Sequence, residues 1–232
     1  MAKSDKDKGK DVPAPTATRN FFEEYGKAAT MSSITGRLLK FNKFGEYRAG
    51  QDEEQIKHGT QLAAYMDSLC TGYQLWEDGR PTDRIMGPLC KGFVPPKKHA
   101  LSHRDKSKWE INDEGEPRDP WQFTNTIILV DLKTGDLFTF STASRGGLNA
   151  VRRLALEYGE HIRQKPDEAP IIKLGGGSYK HPNKKYGEIR YPILEIDGYV
   201  PLSKLPPLDI EQEQLLEPPP DGDDTGGTQV SF

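Results

Sequence analysis

The apolar residues of the chain recur in short alternating runs, and these runs predict a mainly β domain. They lie at 34–41 with a continuation through 48, and at 62–76, 123–130, 137–142, 171–174 and 188–196. Alternation with a period of two is typical of a strand with one buried face. Gly72 interrupts the second run and predicts a bulge. The Asp78-Gly79 pair after that run predicts a tight turn, because both residues tolerate positive φ.

A single segment has the spacing of a helix. Its apolar residues recur every three or four positions, at Leu148, Val151, Leu154, Ala155, Tyr158 and Ile162. The spacing predicts one α-helix at about 148–163, which Pro166 ends. Strands, one helix and two further strands follow one another in the five-stranded OB barrel, and also in a β-sandwich with one helix. We expect an OB-like β-barrel of five or more strands with this one α-helix.

The two ends of the chain and one internal stretch lack these patterns. Residues 1–20 are charged and rich in Pro, Ala and Thr, residues 205–232 are acidic, and both segments are predicted to be disordered. Residues 21–204 form the predicted domain. The polar stretch at about 88–121 is punctuated by Pro and Gly and predicts one long loop. Structureless loops of that length are uncommon in a compact domain and are often functional.

Charge and cysteine content narrow the class of protein. From Pro206 to Phe232 there are seven acidic residues and no Lys or Arg; since the whole chain carries −3, the preceding 205 residues carry +4. No stretch approaches the roughly 18 apolar residues of a membrane span, and the charged beginning lacks the apolar region of a secretory signal. Cys70 and Cys90 suggest reduced thiols. These features predict a cytoplasmic protein.

Cations are interleaved with aromatic rings in two clusters, one around the first strand and one between the last two. Unpaired bases stack on flat rings for roughly 1–3 kcal/mol each, and cations follow the phosphates. The loop between the last two strands of an OB barrel borders the binding groove. The alternative is that the rings are cross-strand core pairs and the lysines keep a loop soluble. The predicted nucleic-acid-binding residues are Arg37, Lys40, Lys43, Phe44, Tyr47, Arg48, Trp76, Arg145, Tyr179, Lys180, Lys184, Lys185, Tyr186, Arg190 and Tyr191.

A basic β domain followed by an acidic tail that ends in Phe232 resembles the single-stranded-DNA-binding proteins of bacteria and of bacteriophage replication systems. In those proteins the tail recruits polymerases, helicases or recombination factors. The resemblance implies that this tail binds partners through Asp221, Asp223, Asp224 and Phe232; here the neutral residues 225–231 separate the acids from the final ring. Such a tail can also compete with nucleic acid for the chain's own basic surface. Segments 36–41 and 119–125 are similar to those of phage and prophage proteins, which implies a bacterial host cytoplasm.

Enzymatic and metal sites have weaker signals. The glycines at 146–147 and 175–177 lack the Gly-Lys-Ser/Thr end of a phosphate loop. His99 and His103 lack a second pair of ligands at the spacing of a zinc site. Residues 131–133, Asp-Leu-Lys, are similar to the arrangement in metal-dependent nucleases, but they fall in a predicted hairpin turn. We expect no catalytic residue, no metal and no cofactor.

These observations predict a non-enzymatic single-stranded-DNA-binding protein that acts in phage DNA replication, recombination or repair. It would bind by stacking and phosphate contacts, with little dependence on base sequence. The expected partners are single-stranded DNA and replication or recombination proteins; a homo-oligomer is compatible with this, and no membrane is expected. Two alternatives stay open: a phage structural or adaptor protein whose β domain binds protein, and a metal-dependent nuclease.

Overall fold

The computed structural model describes residues 34–111 and 115–208, and within these residues it contains nine β-strands and one α-helix. The predicted N-terminal lead (1–20) and the acidic tail from residue 209 onward lie outside the described residues. No helix of the described part is long and apolar enough to cross a membrane. In chain order the elements are β1 (Arg37–Phe41), β2 (Tyr47–Ala49), β3 (Glu54–Ile56), β4 (Gln61–Glu77), β5 (Arg80–Pro88), β6 (Trp121–Val130), β7 (Leu137–Thr142), α1 (Arg145–His161), β8 (Glu168–Lys180) and β9 (Glu188–Pro201).

All the strands of the described residues belong to one sheet. Its order is β3-β2-β1-β7-β6-β4-β8-β9, with β5 also paired to β4. The pair of β1 with β7 is parallel and the other pairs are antiparallel. The long strand β4 pairs with β6 along one edge and with β8 and then β5 along the other. This strand therefore connects all the parts of the sheet.

The prediction of a mainly β fold with one helix is confirmed. Strands β4, β6 and β7, then α1, then β8 and β9 follow one another in the predicted order. The sheet curls into a half-barrel, which is compatible with the OB fold. Strands β1 to β3 extend the sheet beyond β7, because β1 pairs with the outer edge of that strand.

The main core lies on the inner face of the half-barrel. Alternate residues of neighbouring strands point into it, as the strand period requires, and Leu39, Ile127, Leu129 and Phe140 are fully buried there. The apolar stripe of α1, which includes Leu154, packs against the same core. Each fully buried side chain of this size contributes roughly 1.5–3 kcal/mol. The helix and the strands are thus joined by one apolar cluster.

The helix begins three residues before the predicted start and ends two residues before the predicted end. Ser144 is the reason for the early start, because its Oγ accepts a hydrogen bond from the backbone N–H of Gly147 at 3.1 Å. This cap satisfies one of the free N–H groups of the first turn. Gly146 and Gly147 therefore belong to the helix and do not form a flexible connection before it.

The far half of β4 leaves the half-barrel as part of an arm. Between Tyr65 and Cys70, β4 has four residues where β6 has one. Ser68 stabilises this bulge, since its Oγ accepts from the backbone N–H of Ile128 at 2.8 Å and donates to the carbonyl of Tyr65 at 2.6 Å. Beyond the bulge, residues 70–77 pair with β5 on one side and with residues 121–126 of β6 on the other. We call these three strand segments the arm.

The turn between β4 and β5 is predicted correctly, whereas β5 and the role of Gly72 are not. Asp78 and Gly79 both have positive φ, at 51° and 71°, as a two-residue hairpin turn requires. The sequence does not predict β5, because its prolines and charged residues interrupt the alternation of apolar and polar positions. Gly72 marks a close approach and not a bulge: a Cβ there would overlap the carbonyl oxygen of Ile85 on β5, and the register of β4 shifts at other positions.

The chain that follows β9 covers part of the outer face of the sheet. Leu205 packs on a small apolar cluster that includes Ala63 and Val130. The hydroxyl of Tyr65 donates a hydrogen bond to the carbonyl of Pro206 at 2.7 Å. The packed part of the chain therefore continues past residue 204, the predicted end of the domain.

Candidate nucleic-acid interface

The β1–β2 turn and the β8–β9 hairpin meet at one contact. The guanidinium Nη1 of Arg190 donates a hydrogen bond to the carbonyl oxygen of Phe44 at 2.6 Å. Gly45 fits against the same arginine, since a Cβ there would come within 2.9 Å of the Arg190 Cδ. The predicted clusters around Phe44 and Arg190, which are 146 positions apart, therefore lie side by side.

The hairpin of β8 and β9 presents different chemistry on its two faces. Ser178 pairs with Arg190, and these positions continue the inner face that carries the buried Leu174 and Leu194. Gly177 pairs with Tyr191 on the opposite face, followed by Tyr179. Arg190 and Tyr191 therefore lie on opposite faces of one ridge, and the β1–β2 turn contacts the face that carries Arg190.

Several aromatic side chains of this region are exposed. Phe44 is 63% exposed, Tyr179 is 48% exposed and Tyr186 is 37% exposed. Cations lie close to two of them: the Lys43 Nζ is 5.5 Å from the centre of the Phe44 ring, and the Lys185 Nζ is 6.0 Å from that of Tyr186. We define the hairpin surface as Lys43, Phe44, Arg145, Tyr179, Lys180, Lys184, Lys185, Tyr186, Arg190 and Tyr191.

The three consecutive glycines at 175–177 belong to β8, which extends beyond the predicted run 171–174. A Cβ on Gly176 would come within 2.7 Å of the His58 ring, and one on Gly177 within 2.5 Å of the Tyr191 ring. His58 in turn makes a hydrogen bond of 2.9 Å between its Nε2 and the carbonyl of Gly45. The glycines therefore let two rings lie directly on the strand, and one of those rings contacts the β1–β2 turn.

Replacing Gly176 with Ala is expected to lower the free energy of unfolding by at most about 1 kcal/mol, because the new methyl group would displace the exposed ring of His58. Gly159 in α1 is the matched control, since nothing lies near its Cβ position. Gly159→Ala is expected to raise the free energy of unfolding by about 0.5–1 kcal/mol, because glycine loses more backbone entropy in a helix. Urea denaturation followed by circular dichroism measures both. Effects of the same sign would contradict the packing role of Gly176.

Two carboxylates lie among the cations of this region, and both are held by neighbours. Hydrogen bonds from Asn42 and then Arg48 lower the pKa of Glu46. The hydroxyl of Ser178 donates to Glu188 at 2.6 Å, and this bond, helped by the charge of Arg190, lowers the pKa of Glu188. Both acids are ionised at neutral pH. Within the described residues, several cations have no carboxylate at ion-pair distance: Lys40, Lys43, Arg145, Lys180, Lys184 and Lys185.

The other predicted cations lie on β1 and β2 or beside β9. Arg145 precedes Gly146, which packs directly against the Cβ of Tyr191. Lys40 and Arg48 are register partners on β1 and β2, and Arg48 forms an ion pair with Glu46 at 2.8 Å. Arg145 is therefore counted in the hairpin surface, whereas Arg48 is held in an ion pair with Glu46.

Besides Lys40 and Arg48, three further predicted residues do not belong to this surface. Arg37 forms an ion pair with Glu54 at 2.7 Å and lines a separate cleft of about 270 Å³. Tyr47 is fully buried, and its hydroxyl lies 2.9 Å from the carbonyl of Gly175, so its ring has no face to offer a base. Trp76 lies in the arm. Stacking by Tyr47 is thus excluded by its burial, and the other two residues are remote from the ridge.

In the described part of the chain, the residues considered for a nuclease or a zinc site do not form a metal-binding cluster. Asp131 accepts a hydrogen bond from the backbone N–H of Lys133 at 2.8 Å, which is a contact within the β6–β7 turn. The ring of His103 lies within hydrogen-bond distance of the Ser102 hydroxyl and within ion-pair distance of Glu77. Across residues 34–111 and 115–208 no group of three or more His, Cys, Asp or Glu side chains could hold a metal ion.

Comparisons of the chain with protein-family models, with curated proteins and with solved structures found no match. The chemistry of the hairpin surface therefore has to be inferred from its own residues: exposed rings and unpaired cations on a ridge formed by two turns that contact each other.

Proposed function

We propose that this protein binds single-stranded DNA through the hairpin surface, with little dependence on base sequence. The observation that carries the proposal is the hydrogen bond from Arg190 to the carbonyl of Phe44, which joins two clusters of rings and cations. Rings accept unpaired bases and cations neutralise phosphates. In this proposal the protein acts in phage-type DNA replication, recombination or repair.

The exposed rings favour a single strand over a duplex. In a duplex the faces of the bases are covered by the neighbouring base pairs, whereas a single strand can place a base on Phe44, Tyr179 or Tyr186, which are all at least one-third exposed. The phosphates would lie between these rings, near Lys180, Lys184 and Lys185.

We infer that the half-barrel is of the OB type. Strands β4, β6, β7, β8 and β9 are the five strands of the barrel, and α1 lies between the third and the fourth. The loop 181–187 is then the connection between the last two strands, which borders the binding site in OB barrels. The hairpin surface is centred on this loop.

The acidic tail has two proposed roles. Asp221, Asp223, Asp224 and Phe232 would recruit replication or recombination proteins, and the same acids would compete with DNA for the cations of the hairpin surface. The last packed contact before the tail is at Pro206. The 24 residues that follow position 208 could span on the order of 80 Å when extended, which is ample reach for either role.

Equilibrium binding of a labelled oligo-dT tests the proposed function. Fluorescence anisotropy is measured with the full chain at about 50 mM and about 200 mM salt. The logarithm of the binding constant is expected to fall linearly with the logarithm of salt concentration, with a slope of about −0.7 for each phosphate neutralised. Absence of binding at the lower salt concentration, or an affinity that salt does not change, would contradict the proposal.

The variant K184E/K185E is expected to weaken binding at the lower salt concentration by about tenfold or more, and to make the salt slope shallower by about 1.4, because two phosphate contacts are lost. The control K133E/K204E changes the net charge equally at two exposed lysines outside the hairpin surface. It is expected to retain the salt slope of the unmodified chain. Equal losses in the two variants would mean that net charge, and not the hairpin surface, governs binding.

A further inference from the structure

The connection between β5 and β6 is packed against the arm. Leu101 is buried with Leu75 and Trp121. The indole N–H of Trp121 donates to the Oγ of Ser102 at 3.3 Å, and the backbone N–H of Trp76 donates to the carbonyl of Pro120 at 2.9 Å. Ordering a segment in this way costs conformational entropy. A loop that served only for solubility would not need these anchors.

The first part of this connection is strongly basic. From Lys91 to Lys108 the sequence contains six Lys or Arg residues and a single acid, Asp105. Lys98 forms an ion pair with Asp119 at 2.7 Å, and Lys108 lies 3.9 Å from Asp105. Within the described residues, Arg104 and Lys106 have no carboxylate at ion-pair distance. The first part of the connection therefore carries positive charge, whereas residues 109–120 contain five of the six acids of the connection.

These cations surround a fixed indole ring. Lys98, Arg104 and Trp109 line a small depression of about 30 Å³, and the Lys106 Nζ is 5.7 Å from the centre of the Trp109 ring. The indole N–H of Trp109 donates to the carbonyl of His103 at 2.6 Å, which fixes the orientation of the ring. We call Lys98, Arg104, Lys106 and Trp109 the arm surface. It repeats the combination of rings and cations found on the hairpin surface.

The two surfaces lie at opposite ends of β4. Strand β8 pairs with residues 61–63 of β4, and residues 174–180 continue away from the arm. The arm surface packs near the other end, beside Leu75. Strand β4 has 17 residues and includes the bulge opposite β6, so the two surfaces lie at the two ends of a long strand.

We propose that the arm surface is a second contact for the same DNA strand, used only by strands long enough to reach it from the hairpin surface. This inference rests on the proposed function, because it requires DNA on the hairpin surface. It implies that affinity rises with length beyond the roughly 4–16 nucleotides that one OB fold covers.

Intrinsic fluorescence distinguishes the two surfaces, because the three tryptophans of the chain, Trp76, Trp109 and Trp121, all lie in the arm or its connection. The full chain is titrated with oligo-dT of about 8 and of about 35 nucleotides. Both are expected to bind, as measured by anisotropy, and only the longer one is expected to change the tryptophan emission. R104E/K106E is expected to weaken binding of the longer oligonucleotide by about tenfold and to leave binding of the shorter one unchanged. The control K133E/K204E is expected to change the affinity for the two oligonucleotides to the same extent.

Different results of these titrations would overturn the arm surface alone or the proposed function as well. If neither oligonucleotide binds, both are overturned. If both bind, but the emission stays constant and R104E/K106E binds the longer one like the unmodified chain, the arm surface alone is overturned. If R104E/K106E weakens the short and the long oligonucleotide equally, the division into two separate surfaces is wrong.

Discussion

Replacing both Phe44 and Tyr179 with Ala is expected to weaken the binding of oligo-dT by about 25-fold or more. Removal of a stacking ring costs about 1–3 kcal/mol per base, and 1.4 kcal/mol corresponds to a factor of ten in affinity. Both rings are about half exposed or more, so the free energy of unfolding is expected to change by less than about 0.5 kcal/mol per site. Anisotropy titrations and urea denaturation measure the two quantities.

Two further variants show whether the rings act by stacking. Y179F keeps the ring and is expected to bind like the unmodified chain. L132A/L156A removes two exposed apolar side chains elsewhere on the surface and is expected to leave the affinity unchanged. The salt slope of F44A/Y179A is expected to stay constant, because no phosphate contact is lost. A slope that becomes shallower, or a loss of affinity in L132A/L156A, would argue against stacking at these two rings.

The order of strands and helix could be predicted because local patterns determine it. The runs that became β4, β6 and β7 contribute one face to the main core, and the stripe of α1 packs against the same core. Ala63 and Val130, on the other face, are buried in a second cluster. Strand β5 lacks this signal. Among the strands of residues 34–111 and 115–208 it pairs only with β4, and it contains Pro81 and Pro88, which strands tolerate mainly at edges.

The composition of the site could be predicted, but its geometry could not. Rings and cations are visible in the sequence, whereas the contact that joins them spans 146 positions. The alternation along β9 places Arg190 and Tyr191 on opposite faces. A list of residue types cannot reveal these orientations, because they depend on the register between β8 and β9. The glycines at 175–177 continue this pairing beyond the predicted run 171–174.

The packing beneath the hairpin surface explains why one predicted residue belongs to the core. His58 lies over Gly176 and bonds the carbonyl of Gly45, and Tyr47 contacts the His58 ring edge-on at 5.8 Å between centres. The hydroxyl of Tyr47 lies 2.9 Å from the carbonyl of Gly175 and 3.1 Å from that of Ile193. Tyr47 thus connects β2 to both strands of the hairpin and lies in the core beneath the hairpin surface.

Replacing Tyr47 with Ala is therefore expected to lower the free energy of unfolding by about 3–5 kcal/mol, as for other large aromatic side chains in a core. Because typical domains are stable by only about 5–15 kcal/mol, this change could unfold much of the protein. Tyr47→Phe keeps the packing and loses a buried hydrogen bond, which is expected to cost about 1 kcal/mol. Y186F is the matched control, since that ring is exposed, and it is expected to be neutral. Urea denaturation followed by circular dichroism measures all three.

The pH dependence of Y47F gives an independent test of the same burial. Burial raises the pKa of the Tyr47 hydroxyl, so the unfolded chain loses this proton first as the pH rises. The stabilisation that depends on the neutral hydroxyl is complete below a pH of about 10 and declines above it. Y47F has no proton to lose, so its stability is expected to decline less over that range than that of the unmodified chain. If Y47F instead weakened oligo-dT binding and left both stability and its pH dependence unchanged, Tyr47 would contact DNA and its place in the core would be wrong.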